Sequence, residues 1–234
     1  MKFQTRVLTL AIASLSLAAC NNPFSGKVDL ETDTQKFSYA IGVDIGRSME
    51  PIRDDIDLEA LKQGLQDVQE KAELALNDEE RKQILTTMAQ QLREKKMKEM
   101  EAKGKSATDA GAKFLADNGK RAGVTTTASG LQIETLKAGS GAKPSATSVV
   151  TVHYKGTLTN GTVFDSSYDR GQPATFPLNQ VIPGWTEGVQ LMQIGGKYKL
   201  YIPGNLAYGP QGSGEKIGPN ETLVFEIELL KIEG

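Results

Sequence analysis

The chain has very few of the residues that bind metals or attack substrates. Its 234 residues include one cysteine, Cys20, and one histidine, His153. One cysteine cannot form an intramolecular disulfide, and this pair cannot supply the ligands of a zinc site, so we expect no metal and no cofactor. Lys and Arg number 27 against 29 Asp and Glu, which leaves no basic excess for a nucleic-acid-binding face.

Long apolar runs are also missing, with one exception near the N-terminus. The run VLTLAIASLSLAA follows Lys2 and Arg6 and ends at Cys20, which is the layout of a signal peptide. It is too short for a stable membrane helix, which needs about 20 apolar residues. We therefore predict a lipoprotein-type signal peptide over residues 1–19.

The sequence Leu-Ala-Ala-Cys at the end of this run resembles a bacterial lipobox, so we predict lipidation of Cys20. An Asp directly after the cysteine often signals retention in the inner membrane of enteric bacteria, but here Asn21 follows Cys20. We therefore expect an outer-membrane lipoprotein that faces the periplasm or the exterior and touches the membrane only through its lipid. Ordinary cleavage near the same alanines, giving a soluble periplasmic protein, is the alternative.

Helical patterns dominate residues 30–122, after a polar tether over residues 20–29. A second helix is predicted after Asp57, and a third begins after Asn77, where Glu80 is placed to complete a capping box. The first helix is indicated by apolar residues at helical spacing: Phe37, Ala40, Ile41 and Ile45. The third includes REKKMKEMEAKGK, whose interleaved charges predict a solvated linking helix and not a nucleic-acid site.

Two glycines, Gly42 and Gly46, lie one turn apart in the first helix. Each costs about 1 kcal/mol relative to alanine in a helix interior, which suggests that another backbone approaches closely there. The partner could be in the same chain or in a second subunit, and a helix break is the alternative. A homodimer formed through the N-terminal helices is our hypothesis.

Strand patterns replace helical ones after a linker over residues 119–129. Alternation predicts strands in LQIETLKAG, SVVTVHYKGTL, TVFDSS, KYKLYIP and TLVFEIELLKI, and PGWTEGVQLM is the one short helix. The fold class is therefore α+β, with an antiparallel sheet in residues 123–234.

The stretch HYKGTLTNGTVFDSSYDR contains a histidine, two aspartates and two adjacent serines, which raises the possibility of a hydrolase. Strand alternation places Tyr154 on the apolar face with Val152, and His153 on the opposite face. No G-x-S-x-G motif surrounds Ser166 or Ser167. We therefore favour a structural histidine at the strand surface and look for the site in an apolar pocket.

Residues 123–234 resemble the FKBP-type peptidyl-prolyl cis-trans isomerases through HYKG, GTVFDSS, VIPGW, LAYGP and LVFEIELL together. The segment SYAIGVDIG and the charged helix resemble the Mip/FkpA subgroup of exported bacterial isomerases, which dimerise through this arm. The resemblance implies an N-terminal all-helical dimerisation arm with a long linking helix. It also implies a C-terminal bent antiparallel sheet wrapped around one short helix, which would begin at Gly184.

The resemblance implies isomerisation of X-Pro bonds in unfolded or partly folded exported chains, with macrolides as inhibitors. Trp185 would form the pocket floor, Tyr208 and the Ile182 N–H would donate to substrate carbonyls, and Asp165 would orient and not act as a base. The remaining substrate-binding residues it implies are Tyr154, Phe164, Arg170, Phe176, Val181, Ile217 and Phe225.

Two positions depart from the pattern of the small cytosolic members of the family. Ala174 stands where many of them have an aromatic wall residue, and Ser213 stands where a rim histidine is often found. We expect these differences to change the fit of ligands more than the basic activity. A dimeric holdase chaperone or surface interaction protein that depends little on catalysis is the alternative function.

Overall fold

A computed structural model describes residues 28–233, and the predicted signal peptide and Cys20 lie outside these residues. The described chain divides into two compact units between Ala75 and Leu76. Its helices are α1 (Asp33–Met49), α2 (Leu58–Glu70), α3 (Asp78–Asn118) and α4 (Pro183–Leu191). Its strands are β1 (Val124–Thr126), β2 (Gln132–Lys137), β3 (Val149–Leu158), β4 (Val163–Ser166), β5 (Ala174–Pro177), β6 (Lys197–Ile202) and β7 (Leu223–Glu233).

Side-chain caps define where the first two helices begin. The Gln35 N–H donates to Thr32 Oγ1 at 3.2 Å, and the Thr32 N–H donates back to Gln35 Oε1 at 2.9 Å, which forms a capping box at α1. Asp57 caps α2 as predicted, since its carboxylate accepts from the Glu59 N–H at 2.9 Å. Neither helix contains a buried residue, although both carry apolar side chains.

Helix α1 continues without interruption through Gly42 and Gly46, so the alternative of a helix break there is wrong. A methyl group added at either glycine would meet no described atom within 4 Å. Close packing against another helix of the same chain is therefore not found among residues 28–233.

Helix α3 is a single helix of 41 residues. It begins with the predicted capping box, in which the Glu80 N–H donates to Asn77 Oδ1 at 2.9 Å and the Asn77 N–H donates to Glu80 Oε2 at 3.0 Å. By its contacts α3 belongs to the same compact unit as the sheet. The predicted division into domains at residues 122 and 123 stays a prediction.

The seven strands form one antiparallel sheet in the order β1-β2-β6-β7-β3-β4, and β5 also pairs with β3. All five predicted strands are present. The short strands β1 and β5 were not predicted, because three or four residues show too little alternation to be recognised.

The sheet packs around α4, as the α+β prediction requires. Two glycines allow this contact: a methyl at Gly184 would lie 2.4 Å from Ile202 Cγ2, and one at Gly188 would lie 2.5 Å from Leu200 Cδ1. The helix begins at Pro183 and not at Gly184, because proline suits the first position of a helix.

A polar network joins the end of α3 to the sheet. Asn118 Nδ2 donates to Gln132 Oε1 at 2.7 Å, and Gln132 Nε2 donates to the Leu115 carbonyl at 2.8 Å. Nearby, the Tyr201 hydroxyl accepts from Arg121 at 2.9 Å and donates to Glu134 Oε2 at 2.6 Å. These bonds satisfy Asn118 and Gln132, which are both buried.

Candidate functional site

A cavity of about 540 Å³ opens between the sheet and α4. Its walls come from β3, β4, β5 and β7, from α4 and the segment that leads into it, and from Tyr208 and the loop that follows it. It brings together nearly all the predicted site residues, namely Tyr154, Phe164, Asp165, Phe176, Val181, Ile182, Trp185, Tyr208, Ile217 and Phe225. Arg170 does not line the cavity, but it donates hydrogen bonds to Asp165 and Tyr154, which do.

Aromatic side chains packed edge to face form the apolar part of the cavity. The Trp185 ring, 4% exposed, lies 5.3 Å from Tyr154, 5.6 Å from Phe176 and 5.2 Å from Phe225 between ring centroids, and each pair is nearly perpendicular. Edge-to-face pairs of this kind add about 0.5–1.5 kcal/mol each beyond their buried area. The floor and walls are therefore held in fixed orientations.

Gly156 on β3 makes this aromatic packing possible. A methyl group there would lie 2.5 Å from the Phe164 ring and 2.8 Å from the Phe225 ring, closer than any carbon can approach. Sequence reasoning quoted this glycine only as part of HYKG and gave it no role. Its position in the middle of a strand, where glycine is disfavoured, was the available signal.

Asp165 contributes a carboxylate to the cavity wall. Its carboxylate accepts hydrogen bonds from the Tyr154 hydroxyl and from Arg170, and Arg170 also donates to the Tyr154 oxygen at 2.8 Å. Burial alone would raise the pKa of the Asp165 carboxyl, but the bonds from Tyr154 and Arg170 outweigh it and hold this pKa below its ordinary value. Asp165 is therefore ionised at neutral pH.

Tyr208 stands at the mouth of the cavity with 40% of its surface exposed. Burial, with a smaller contribution from the Asp165 charge, raises the pKa of the Tyr208 hydroxyl. Its hydroxyl consequently stays protonated at neutral pH and can donate a hydrogen bond.

The opposite rim is a turn in which the Ser213 N–H donates to the Ile217 carbonyl at 2.8 Å and the Ile217 N–H donates back to Ser213 at 3.2 Å. This pair of bonds holds Ile217 against the cavity, and Ser213 itself also lines it. Ala174 packs against the core outside the lining.

Four lining residues were missed by sequence reasoning: Gln180, Gly214, Glu215 and Lys216. Three of them lie in the glycine-rich loop that contains Ile217, and the composition of that loop was the signal that a cavity rim was present. Gln180 carries no sequence signal, because it ends a single turn of 3-10 helix, Leu178–Gln180, which is too short to show a pattern.

His153 and Ser167 do come together, since His153 Nδ1 lies 3.0 Å from Ser167 Oγ. Ser167 is, however, fully buried, and its oxygen also accepts from the Tyr154 N–H at 2.8 Å. The His153 ring stacks on Tyr168 with 4.7 Å between centroids. The pair therefore fixes the backbone next to Tyr154, and no substrate can reach the hydroxyl as a hydrolase would require.

Within residues 28–233, no three His, Cys, Asp or Glu side chains are grouped closely enough to hold a metal ion. In the same part of the chain, none of the helices has the length and apolar character needed to cross a membrane.

Comparison with known proteins identifies two family regions. A family described as FKBP-type peptidyl-prolyl cis-trans isomerase matches residues 140–230, and these include the whole cavity lining. A second family, described as the domain amino terminal to FKBP-type peptidyl-prolyl isomerase, matches residues 34–134, and therefore α1 to α3 and part of the sheet.

Individual relatives match most of the chain. The probable FKBP-type peptidyl-prolyl cis-trans isomerase FkpA of Neisseria meningitidis is 47% identical over 201 residues, which cover 85% of this chain and 74% of the relative. The outer membrane protein MIP of Legionella longbeachae is 40% identical over 97% of both chains. The crystal structure of FkpA from Escherichia coli is similar with a TM-score of 0.70 and 38% identity, over 88% of this chain and 99% of that one.

Proposed function

This chain belongs to the family of FKBP-type peptidyl-prolyl cis-trans isomerases, and we propose that it isomerises X-Pro bonds in the cavity above Trp185. The predicted family, fold and enzyme class are confirmed by the relatives and the related crystal structure. The holdase alternative is not favoured, because the relatives are named as isomerases.

The apolar lining supports a mechanism that requires no nucleophile. Rotation about an X-Pro bond has a barrier of about 20 kcal/mol, because the amide loses its resonance when it twists. Water stabilises the planar, charge-separated amide, so an aromatic cavity that excludes water raises the planar form relative to the twisted one. Binding that favours the twisted amide lowers the barrier further, by about tenfold in rate for each 1.4 kcal/mol.

Each polar group then has a role in orienting the chain. Trp185 supports the proline ring from below, and the Tyr208 hydroxyl and the Ile182 N–H donate to substrate carbonyls. The ionised Asp165 holds Tyr154 in place and presents a fixed charge to the twisting bond. It does not act as a base, because isomerisation transfers no proton.

The observation that carries this proposal is the convergence of Asp165, Tyr208 and the Trp185 aromatic box on one cavity. We expect Asp165→Ala and Tyr208→Phe each to lower kcat/KM for a peptide with one X-Pro bond. Tyr208→Phe should leave the melting temperature little changed, whereas Asp165→Ala also loses the bonds from Tyr154 and Arg170 and should lower it by a few degrees. Asp169→Ala is the matched control, because Asp169 is exposed and lies four residues away. Full activity in both pocket variants would contradict the assignment.

The N-terminal helices support a homodimer as the functional assembly. Their apolar side chains are exposed, with Phe37 at 67%, Leu65 at 58% and Ile41 at 45%. Exposed apolar side chains that are grouped on a surface mark interaction sites. We infer that a second copy covers these helices, with Gly42 and Gly46 at the close contact, and two cavities then act on one client. Equilibrium sedimentation that shows a monomer at micromolar concentration would contradict this inference.

We also propose that the clients are exported protein chains and that Cys20 carries a lipid that holds the enzyme at the outer membrane. The name of the Legionella longbeachae relative, outer membrane protein MIP, supports this location. Mass spectrometry of the mature N-terminus tests it, because a lipidated Cys20 and an unmodified soluble N-terminus differ in mass. Macrolide inhibitors are the ligand class we expect in the same cavity.

A further inference from the structure

Three buried residues show which face of α3 packs against the rest of its own unit. They are Gly104, Gly111 and Asn118, and the rest of this helix of 41 residues is more exposed. They follow each other at intervals of seven, and because seven residues make almost two turns, they lie on one face. Glycine in a helix interior costs about 1 kcal/mol relative to alanine, so helix formation alone does not account for the two glycines.

The two glycines allow the α3 backbone to lie directly on the segment that precedes β7. A methyl at Gly111 would lie 2.2 Å from Thr222 Oγ1, and Thr222 is buried beside the first residue of β7. A methyl at Gly104 would lie 3.1 Å from Asn220 Nδ2 and 3.4 Å from Pro219 Cβ. Contact is therefore tight at Gly111 and close at Gly104.

Asn220 connects this contact to the cavity. Its backbone has a φ of +56°, and its N–H donates to the Gly209 carbonyl at 2.8 Å. A methyl at Gly204 would lie 2.5 Å from the Asn220 carbonyl oxygen. Because Gly204 and Gly209 flank Tyr208 in the chain, Asn220 packs against both ends of the segment that carries Tyr208.

We propose that the α3 face formed by Gly104 and Gly111 positions Asn220 and, through it, Tyr208 for isomerisation. Both glycines are positioning residues, since neither lines the cavity. The proposal rests on the proposed role of the cavity above Trp185. Helix α3 is then a support of the active site as well as a connection to the N-terminal helices.

The test is Gly111→Ala in the full chain, measured by kcat and KM on an X-Pro peptide and by amide hydrogen exchange. We expect kcat/KM to fall about tenfold, since displacements far from the chemistry disturb substrate alignment. Exchange should become faster at Asn220 and stay unchanged in the centre of β3. Lys105→Ala, on the exposed side of α3, should change neither measurement.

A second substitution tests the cause. Thr222→Ala removes the Oγ1 that the new methyl would strike and leaves only Cβ, which lies 3.3 Å from it. The double variant Gly111→Ala/Thr222→Ala should therefore recover both kcat/KM and slow exchange. If Gly111→Ala does not fold, Gly104→Ala replaces it, because its milder contacts of 3.1 and 3.4 Å predict a smaller loss of the same kind.

The proposal is overturned if a folded Gly111→Ala protein keeps its kcat/KM and its exchange pattern. It is equally overturned if exchange accelerates throughout the sheet, or if Thr222→Ala restores nothing, because either result indicates general destabilisation. Failure of the cavity assignment is a separate result, since it appears as full activity of both Asp165→Ala and Tyr208→Phe.

Discussion

Replacing Tyr154 by phenylalanine isolates the contribution of one hydroxyl group to the cavity. The ring is retained, together with its edge contacts to Trp185 at 5.3 Å and to Phe176 at 5.9 Å. Only the hydrogen bond to Asp165 and the one from Arg170 at 2.8 Å are lost. The change therefore affects polar organisation and leaves the apolar packing in place.

The free energy of unfolding that Tyr154→Phe should lose depends on how exposed the two charged partners of the hydroxyl are. Hydrogen bonds to charged groups contribute about 1.5–3 kcal/mol when water is excluded. The Asp165 and Arg170 side chains are each 43% exposed, so solvent screening reduces this to about 1 kcal/mol. A melting temperature lower by about 2–4 °C follows for a chain of this size. If the same free energy is lost from the transition state, kcat/KM falls about fivefold.

A matched control is present in the same sheet. Tyr201 also accepts from an arginine, Arg121, and donates to a carboxylate, Glu134, but it does not line the cavity. Tyr201→Phe should lower the melting temperature by a similar amount while kcat/KM stays unchanged, since Asn118 and Gln132 still hold α3. Equal losses of kcat/KM in both variants, or none in Tyr154→Phe, would refute the reasoning.

Two further predictions concern the same cavity. Because the pKa of Asp165 is lowered in the folded protein, its stabilising charge is complete above the ordinary carboxyl pKa of about 3.9 and is lost as pH falls through the lower folded value. Arg170→Gln removes one of the groups that lower the pKa of Asp165. The fall of kcat/KM on acidification should therefore begin at a higher pH in this variant, and an NMR exchange assay without a coupled protease can measure it. Gly156→Ala should lower the free energy of unfolding by about 1–3 kcal/mol in denaturant titrations, because its methyl must displace Phe164 or Phe225; an unchanged midpoint would mean that the rings move aside freely.

Helix starts and long strands were predictable from sequence because their signals are local. Asn77 and Glu80 are three residues apart and need no tertiary partner to form their capping box. The alternation that places Tyr154 inward and His153 on the other face of β3 is likewise contained within one strand. Such signals locate elements and their faces, and they do not show which elements meet.

The contacts that were not predicted are those between distant segments. The charges around α3 indicated a solvated helix, so they gave no sign that Gly111 lies against Thr222 and Gly104 against Asn220. Similarly, the role of Gly156 depends on rings from β4 and β7, which alternation cannot place beside it. The cavity residues were named through family motifs, whereas Gln180 belongs to no motif and was missed.

The position of β7 affects the order in which the domain can fold. Of the described strands it comes last in the chain, yet it lies in the middle of the sheet, bonded to β6 on one side and β3 on the other. During synthesis, β3 and β6 must therefore wait for residues 223–233 to leave the ribosome before they gain their shared neighbour. Pairing across such long sequence separations is slow, and the waiting edges are prone to aggregate. An enzyme that accelerates slow steps in other chains thus completes its own domain through a late, non-local step.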